Sequence, residues 1–334
     1  MSEVRAKKAL GQHFLVDLNI ARKICDALSG GVRPGTSAGE SAPADMAGNA
    51  GAGADTRVGT DGCADAGVGS LNGGGAGLAA GADARLAADT TAAGAPAAAE
   101  EERGGAVPCD VLEVGCGMGV LTQFLLRRGD ITTYGAEIDP ESVEYLHAHF
   151  PEFAPRLIEG DFLKMNLRER FPRGLKIIGN FPYNISSQIF FKVLEHRDLV
   201  PECVGMIQKE VAVRIAEPPG SKEYGILSVL LQAWYDIEYL FTVNETVFNP
   251  PPKVKSAVIR LRRNSVGRLG CDEALFVKVV KASFGQRRKM IRNSLRTVFG
   301  DFGGAEHPFF TQRAEQLSVA DFVQLTDWVA ANRK

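Results

Sequence analysis

Residues 111–119 read Val-Leu-Glu-Val-Gly-Cys-Gly-Met-Gly. The short apolar run is typical of a buried β-strand, and the alternating glycines predict a tight turn into a helix. Such a turn lets a ligand approach the backbone closely, beside the N-terminus of the helix. This stretch therefore predicts an α/β sheet with a binding site at the end of its first long strand.

The spacing of the glycines distinguishes two kinds of ligand. A dinucleotide-binding turn follows the pattern GxGxxG, which would place a glycine at position 120, where this chain has Val120. The pattern here is GxGxG after an acidic strand end. That form is used for S-adenosylmethionine, which has no pyrophosphate that needs the third glycine. A purely structural glycine turn is the alternative.

Strand and helix patterns alternate on either side of this turn. The predicted strands cover residues 109–114, 131–138, 155–159, 175–178, 200–208, 235–243 and 255–261. Helical patterns cover residues 17–28, 119–128, 140–150 and 186–196. Repeated strand–helix units predict an α/β fold with a doubly wound, Rossmann-like parallel sheet. The last two strands have no helical pattern between them and predict an antiparallel pair at one end.

Composition divides the chain into three parts. Residues 30–107 contain 23 Ala and 19 Gly among 78 residues, and no Phe, Tyr or Trp. Such a segment buries little apolar area, so we predict a flexible insertion in a surface loop. The pattern becomes wholly helical from about residue 266. We therefore predict an α/β domain over 1–265, interrupted by the insertion, and a small helical domain over 266–334.

Charge is segregated along the chain. Residues 30–107 carry ten acids and four arginines, whereas residues 253–296 carry thirteen Lys or Arg against Asp272 and Glu273. A basic block of that density indicates a polyanionic partner, and a solvated face is the alternative. The chain contains no apolar run long enough to span a membrane and no signal-peptide pattern. Its six cysteines are scattered, which predicts neither disulfides nor a metal site and favours a reducing cytoplasm.

Two acids follow predicted strands. Glu137 ends the second strand, where a carboxylate can accept hydrogen bonds from ribose hydroxyls. Asp161 follows the third strand and is placed to bind an adenine amine, with an exposed loop acid as the alternative. Asp139 occupies the N-cap position of the next helix, so a structural role is the better interpretation.

The sequence Asn180-Phe181-Pro182-Tyr183 follows the fourth strand. An adenine amine is a poor nucleophile because its lone pair is delocalised into the ring. The Asn180 side-chain oxygen and the Pro182 carbonyl can accept both amine hydrogens and direct the lone pair towards a methyl donor. Tyr183 provides a ring on which a flipped base can stack. We therefore predict Asn180, Pro182 and Tyr183 as catalytic residues; a simple turn is the alternative.

The chain resembles the family of ribosomal RNA adenine dimethyltransferases of the small subunit. Six stretches carry the resemblance in order: residues 11–15 (GQHFL), 113–117 (EVGCG), 137–139 (EID), 160–162 (GDF), 180–186 (NFPYNIS) and 248–254 (FNPPPKV). Together they extend over nearly the whole chain outside 30–107. The family usually has Asn where this chain has His13, and the insertion is foreign to its pattern.

The resemblance implies the cofactor, the reaction and the site. The cofactor is S-adenosylmethionine as methyl donor, and its implied contacts are His13, Leu15, Gly115, Glu137, Asp161 and Asn180. The implied substrate is two adjacent adenines in the hairpin near the 3′ end of small-subunit ribosomal RNA, each methylated twice. The protein is expected to act as a cytoplasmic monomer in ribosome biogenesis. A methyltransferase of large-subunit RNA and a non-catalytic RNA-binding assembly factor are the alternatives.

Basic residues in the C-terminal part are the candidate RNA contacts. Arg288, Arg292 and Arg296 recur every four residues, which predicts one face of a helix. Ile291, Leu295 and Val298 are predicted to line the opposite, apolar face. Lys253 and Lys255 are predicted to border the cleft. These five basic residues are the predicted RNA-binding set.

Overall fold

The computed structural model describes Val4, Lys7, residues 10–31 and residues 108–333. The predicted flexible insertion lies outside the described residues, apart from Gly30 and Gly31 at its start. No helix in the described part of the chain is long and apolar enough to cross a membrane.

The main sheet has seven strands. They are β2 (Cys109–Val114), β3 (Ile131–Glu137), β4 (Leu157–Glu159), β5 (Lys176–Asn180), β6 (Glu202–Gln208), β7 (Tyr235–Val243) and β9 (Ser256–Arg263). Their spatial order is β4-β3-β2-β5-β6-β9-β7. The first five are parallel, whereas β9 is antiparallel to both β6 and β7. The predicted doubly wound α/β sheet with an antiparallel pair at one end is confirmed.

A separate two-stranded ribbon joins the N-terminal arm (Lys7 and residues 10–15) to the loop before β9. Its strands are β1 (Phe14–Leu15) and β8 (Phe248–Asn249), which pair antiparallel. Two of the motifs that are far apart in the sequence are therefore adjacent in space.

Ten α-helices accompany the strands in the described residues. They are α1 (Leu18–Asp26), α2 (Thr122–Leu125), α3 (Pro140–His149), α4 (Leu167–Arg170), α5 (Ser186–Glu195), α6 (Lys209–Ala216), α7 (Ile226–Gln232), α8 (Glu273–Gly285), α9 (Ile291–Phe299) and α10 (Val319–Asn332).

The alternation of side chains along the central strands builds two apolar layers. In β5, Ile177 packs in the larger cluster, which includes α5 and α7, and Ile178 packs in the smaller cluster, which includes α1. In β2, Leu112 likewise packs in the larger cluster and Val111 in the smaller one. Because successive side chains of a strand point to opposite faces, helices cover both faces of the sheet.

Two predicted helical features differ from the structure. The helix predicted at 119–128 is shorter in the structure and consists only of α2. Gly117 and Gly119 have positive φ angles of 53° and 75°, so residues 117–121 form turns before the helix begins. Helices α4, α6 and α7 have no counterpart among the predicted helices. In α7 the five residues 227–231 are all buried, so the segment has no polar face from which periodicity could be read.

The C-terminal region is helical, as predicted. Its helices α8, α9 and α10 pack through Phe276, Leu295 and Phe322, which belong to the same apolar cluster as Ile177 of the sheet. The core therefore continues across residue 265. The functional division at that position stays a prediction.

The end of α1 is held at the amino edge of the sheet by a buried ion pair. Lys176 and Glu202, the first residues of β5 and β6, are 4% and 3% exposed, and their charged atoms are 3.0 Å apart. The Lys176 ammonium also donates to the carbonyls of Ser29 and Gly30 at 3.0 and 2.8 Å. Burial acts to raise the pKa of Glu202, but hydrogen bonds from Ser29 and Lys176 outweigh it and hold that pKa below its usual value.

Removing one partner of this pair should destabilise the protein. We expect Lys176→Met to lower the free energy of unfolding by about 3 kcal/mol, because the buried Glu202 carboxylate loses its nearest counter-ion and, among the described residues, keeps only Arg262, at 3.7 Å. Urea denaturation of Lys176→Met, Glu202→Gln and the double variant measures the coupling. A decrease below about 1 kcal/mol in both single variants would show that the pair is not needed to hold α1.

Candidate active site

A single cleft contains all the residues predicted to bind the cofactor or to catalyse. It lies at the carboxyl ends of β2, β3 and β5 and is closed on one side by the N-terminal arm. The predicted residues among its lining are His13, Leu15, Gly115, Glu137, Asp161, Asn180, Pro182 and Tyr183. Parallel strands bring their carboxyl ends to one edge, which is why residues so far apart in sequence meet here.

The charge of the cleft fits a cationic ligand. Glu113, Glu137 and Asp161 line it, and no Lys or Arg is among its lining residues in the described part of the chain. A pyrophosphate would meet like charge here, whereas a sulfonium with an ammonium group would meet opposite charge. The residues that line the cleft therefore fit S-adenosylmethionine and disfavour a dinucleotide, in agreement with the GxGxG spacing.

The glycine turn needs its glycines for two different reasons. Gly115 has a φ of 75°, and its N–H donates to the Ala136 carbonyl at 2.9 Å, which ties the turn to β3. A Cβ at Gly119 would lie 2.4 Å from Phe150 of the neighbouring element. A residue other than glycine would therefore be strained by the positive φ at position 115, and a side chain at position 119 would clash with Phe150.

Glu137 organises this end of the sheet. Its side chain is 4% exposed, and its carboxylate accepts N–H groups from Gly117, Ile138 and Asp139, each at 2.8 Å. Burial raises its pKa in spite of these three bonds. Two of them share Oε1, so Oε2 retains the acceptor capacity that the predicted ribose contact requires.

Glu113 belongs to the glycine motif but was not predicted as a site residue. It is 1% exposed, and its carboxyl group accepts a hydrogen bond from the Thr122 hydroxyl at 2.6 Å. Burial raises its pKa to about 8, with a further contribution from the Glu137 charge. An acid at the end of a strand buried on both faces was the signal that could have identified it.

The Asp139 side chain does not cap its helix. Asp139 stands at the N-cap position of α3, as predicted, but it makes no capping hydrogen bond. Its fully buried carboxylate instead binds the Lys7 ammonium and, at 3.2 Å, the Gln12 amide. These bonds outweigh burial and lower the pKa of Asp139. The acid therefore fastens the N-terminal arm beside the cleft.

Asn180 is oriented by the arm. Its Nδ2 donates to the His13 carbonyl at 2.9 Å. Because a carbonyl only accepts, this bond fixes which end of the amide is the nitrogen. The Oδ1 atom is left as the acceptor that the predicted chemistry needs.

The His13 ring lies beside Tyr183 in the turn after β5. Its Nδ1 is 2.9 Å from the Pro250 carbonyl, and its ring centroid is 5.3 Å from that of Tyr183. The Leu15 side chain is 2% exposed and packs in the smaller apolar cluster, so a cofactor contact at that position has to come from its backbone. The cofactor roles of both residues stay predictions.

The remaining predicted residues of the cleft are held by local bonds. The Tyr183 hydroxyl is 2.5 Å from Ser256 Oγ, and burial raises the pKa of Tyr183. The Pro182 carbonyl accepts the Ile185 N–H at 3.1 Å, which leaves one lone pair for a substrate amine. Asp161 accepts the Leu163 N–H through Oδ1 at 2.9 Å.

The predicted arginine row is partly wrong. Helix α9 begins at Ile291, so Arg288 lies in the turn before it rather than on its face. Arg292 pairs with Glu306 and lies over the Phe310 ring, and Arg296 is 3.2 Å from Asp301. Val298, predicted on the apolar face, is 58% exposed. Local acids therefore already neutralise two of the three arginines.

Lys253 and Lys255 have a different environment. Both are exposed and lie within 4 Å of no acidic side chain among the described residues. Lys255 directly precedes Ser256, the partner of the Tyr183 hydroxyl. Its carbonyl accepts the N–H of Lys209, a further exposed lysine that no sequence motif had indicated.

The fold and the cleft define a Rossmann-like, S-adenosylmethionine-dependent methyltransferase. The family model for ribosomal RNA adenine dimethylase matches residues 108–331, and the chain belongs to that family. Two relatives are both named ribosomal RNA small subunit methyltransferase A. The one from Parabacteroides distasonis is 61% identical over 218 residues, 65% of this chain and 81% of that protein. The one from Porphyromonas gingivalis is 46% identical over 330 residues, 98% of each chain.

A solved structure agrees with this assignment. The crystal structure of a dimethyladenosine transferase from Plasmodium falciparum matches with a TM-score of 0.55 and 26% identity, and covers 67% of this chain and 90% of that one. The family resemblance that the sequence motifs indicated is confirmed.

Replacing Glu113 should flatten the dependence of stability on pH. The folded-state pKa of about 8 lies above the ordinary 4.5, so the folded protein holds a proton that the unfolded chain releases. Stability from this group is present below pH 4.5 and is lost as the pH rises towards 8, at most about 1.4 kcal/mol per pH unit. Glu113→Gln removes that loss and still accepts the Thr122 hydrogen bond.

Urea unfolding of both proteins at several pH values between 5 and about 9 tests this expectation. The difference between the free energies of unfolding of the two proteins should change in favour of Glu113→Gln as the pH rises towards 8. Parallel curves for the two proteins would show that Glu113 ionises as an ordinary carboxylate.

Proposed function

We propose that this protein transfers methyl groups from S-adenosylmethionine to N6 of two adjacent adenosines in the hairpin near the 3′ end of small-subunit ribosomal RNA, giving dimethyladenosines. One observation carries the catalytic part of the proposal. The Asn180 amide is held by the His13 carbonyl with its oxygen available as an acceptor, beside the Pro182 carbonyl and the Tyr183 ring.

The residues of the cleft divide the work of the reaction. Glu137 and Asp161 supply the negative lining for the cofactor, at its ribose and adenine, and the buried Glu113 carboxyl group lies beside them. When bound, S-adenosylmethionine supplies a sulfonium methyl group, which the adenine nitrogen accepts as the sulfur–carbon bond breaks. Asn180 Oδ1 and the Pro182 carbonyl accept the amine hydrogens and stabilise the positive charge that develops on N6.

No general base is needed in this arrangement. The methylated amine is acidic enough to release its proton to water, so catalysis depends on orientation and on fixed dipoles. Tyr183 stacks on the flipped adenine, and its hydroxyl bond to Ser256 limits rotation of the ring. The same residues serve the second methyl transfer, because monomethyladenine retains one amine hydrogen.

The choice of the small subunit has independent support. Both relatives described above carry small-subunit names at 46% and 61% identity. The complete acceptor set around Asn180 favours an enzyme over a non-catalytic assembly factor, since a pure RNA binder has no use for it. The monomeric state and the cytoplasmic location stay predictions from the sequence.

For the RNA surface, the described charges favour Lys253 and Lys255 over the arginines of α9. The two lysines are exposed beside the Tyr183–Ser256 pair, whereas Arg292 and Arg296 are occupied by Glu306 and Asp301. Arg288, exposed in its turn, stays a predicted RNA-binding residue.

Variants of the catalytic turn should separate its two functions. We expect Asn180→Ala to slow single-turnover methyl transfer about a hundredfold or more, since it removes one acceptor of the developing charge. Tyr183→Ala should lose about 1–3 kcal/mol of base stacking, whereas Tyr183→Phe keeps the ring and should lose much less. The measurement is methyl transfer to small subunits at saturating S-adenosylmethionine. An Asn180→Ala rate within tenfold of the parent would contradict the proposed role.

Paired neutralisations should locate the RNA surface. Lys253→Gln with Lys255→Gln should weaken RNA binding and reduce the slope of log K against log salt by about 0.7–0.9 for each phosphate that the variant no longer neutralises. Arg292→Gln with Arg296→Gln should change the slope less, because these arginines are already paired. Fluorescence anisotropy with the RNA hairpin across a salt series gives both slopes. A larger effect of the arginine pair would place the RNA on α9 instead.

A further inference from the structure

Lys192 is a buried cation that the proposed mechanism does not use. It lies on α5 and is 9% exposed. Its ammonium donates to the carbonyl of Leu163 at 2.9 Å and to that of Met165 at 2.7 Å, and it lies 5.6 Å from the centre of the Phe162 ring. All three partners belong to the short segment that directly follows Asp161.

Lys192 forms no ion pair within 4 Å among the residues that the structure describes. The charges that act on it from further away are Glu195 and Asp161. Burial is the larger effect and lowers the pKa of Lys192. Removing an ammonium from water without a counter-ion is costly, and a methionine of similar length would fill the same space without that cost. The bonds that Lys192 makes to the segment therefore call for an explanation beyond packing.

Those bonds control the geometry of Asp161. Leu163 is held from two sides, since its carbonyl accepts from Lys192 and its N–H donates to Asp161 Oδ1 at 2.9 Å. The bond from Leu163 occupies Oδ1 and orients the carboxylate. Oδ2 is left as the oxygen available to a ligand in the cleft that Asp161 lines.

We propose that Lys192 is a positioning residue for cofactor specificity: it holds the segment after Asp161 so that Asp161 distinguishes the exocyclic amine of adenine from an oxygen. The inference rests on the proposed function, in which Asp161 contacts the adenine of the cofactor. Lys192 acts through Asp161 and touches neither the cofactor nor the reacting atoms.

The test is the preference of the protein for an amine over an oxygen at position 6 of the purine. The probes are S-adenosylhomocysteine and its deaminated analogue S-inosylhomocysteine, whose dissociation constants are measured by calorimetry on the full chain. The parent should prefer the adenine form, because a carboxylate accepts from an amine and repels a carbonyl oxygen. In Lys192→Met this preference should fall by about tenfold, since the carboxylate is no longer held in place. Lys192→Arg, which keeps a charged donor, should retain part of it.

Lys164→Met is the matched control. Lys164 lies in the same segment, is 86% exposed and is 3.9 Å from Asp161, so its replacement removes a nearby charge without breaking either carbonyl bond. The preference of Lys164→Met for the adenine form should stay within about twofold of that of the parent. Combining Lys192→Met with Asp161→Asn should add little to Asp161→Asn alone, because both changes act on the same interaction with the adenine.

Three outcomes would overturn the inference. An unchanged preference in a folded Lys192→Met protein would show that Asp161 is positioned without Lys192. Equal weakening of both ligands by Lys192→Met would indicate a general structural role, as would a Lys192→Arg protein whose preference falls as far as that of Lys192→Met. A parent protein that binds neither ligand would instead contradict the proposed function, so the two failures are distinguishable.

Discussion

The hydrogen bond from the Asn180 amide to the His13 carbonyl is the constraint on which the site depends. An amide side chain has a donor end and an acceptor end of nearly equal shape, and only a neighbour of fixed polarity decides between them. Here the neighbour belongs to an arm more than 160 residues away in sequence. The arm is itself held by the β1–β8 ribbon and by Asp139, which binds Lys7 and Gln12. The fold thus uses a separate strand pairing and a buried acid to set the polarity of one side chain.

Electrostatics divides the molecule into two functional regions. The cleft concentrates carboxyl groups: burial raises the pKa values of Glu113 and Glu137, and repulsion by the Glu137 charge raises that of Glu113 further. A cationic cofactor relieves that repulsion, whereas a phosphate would add to it. The exposed lysines at positions 253 and 255 lie outside the cleft lining. In the proposed function, cofactor and polyanionic substrate are attracted to neighbouring regions of opposite charge.

Much of this architecture could be predicted from the sequence because it depends on local patterns. Strand alternation, the glycine turn and the acids at strand ends placed the sheet and brought together the residues of the cleft. The features that were not predicted depend on contacts between residues far apart in the sequence, or lie in segments that are completely buried. Helix α7 has no polar face, Asp139 is bonded by an arm rather than by its own helix, and Lys192 acts on a segment nearly thirty residues before it. Arg288 lies before α9, which begins at Ile291. The prediction placed it on the helix because four-residue spacing does not indicate where a helix begins.

The buried pair of Lys176 and Glu202 has a consequence for how this chain changes over evolutionary time. It fixes Gly30 at the amino edge of the sheet, where β2 also begins directly after Pro108, while the chemistry takes place at the carboxyl edge. We therefore expect codons added or deleted between these two points to alter neither the strand register nor the cleft. On that expectation, selection on methyl transfer acts only weakly on the length of that stretch. The same two points are where an engineer could open the chain to create new termini.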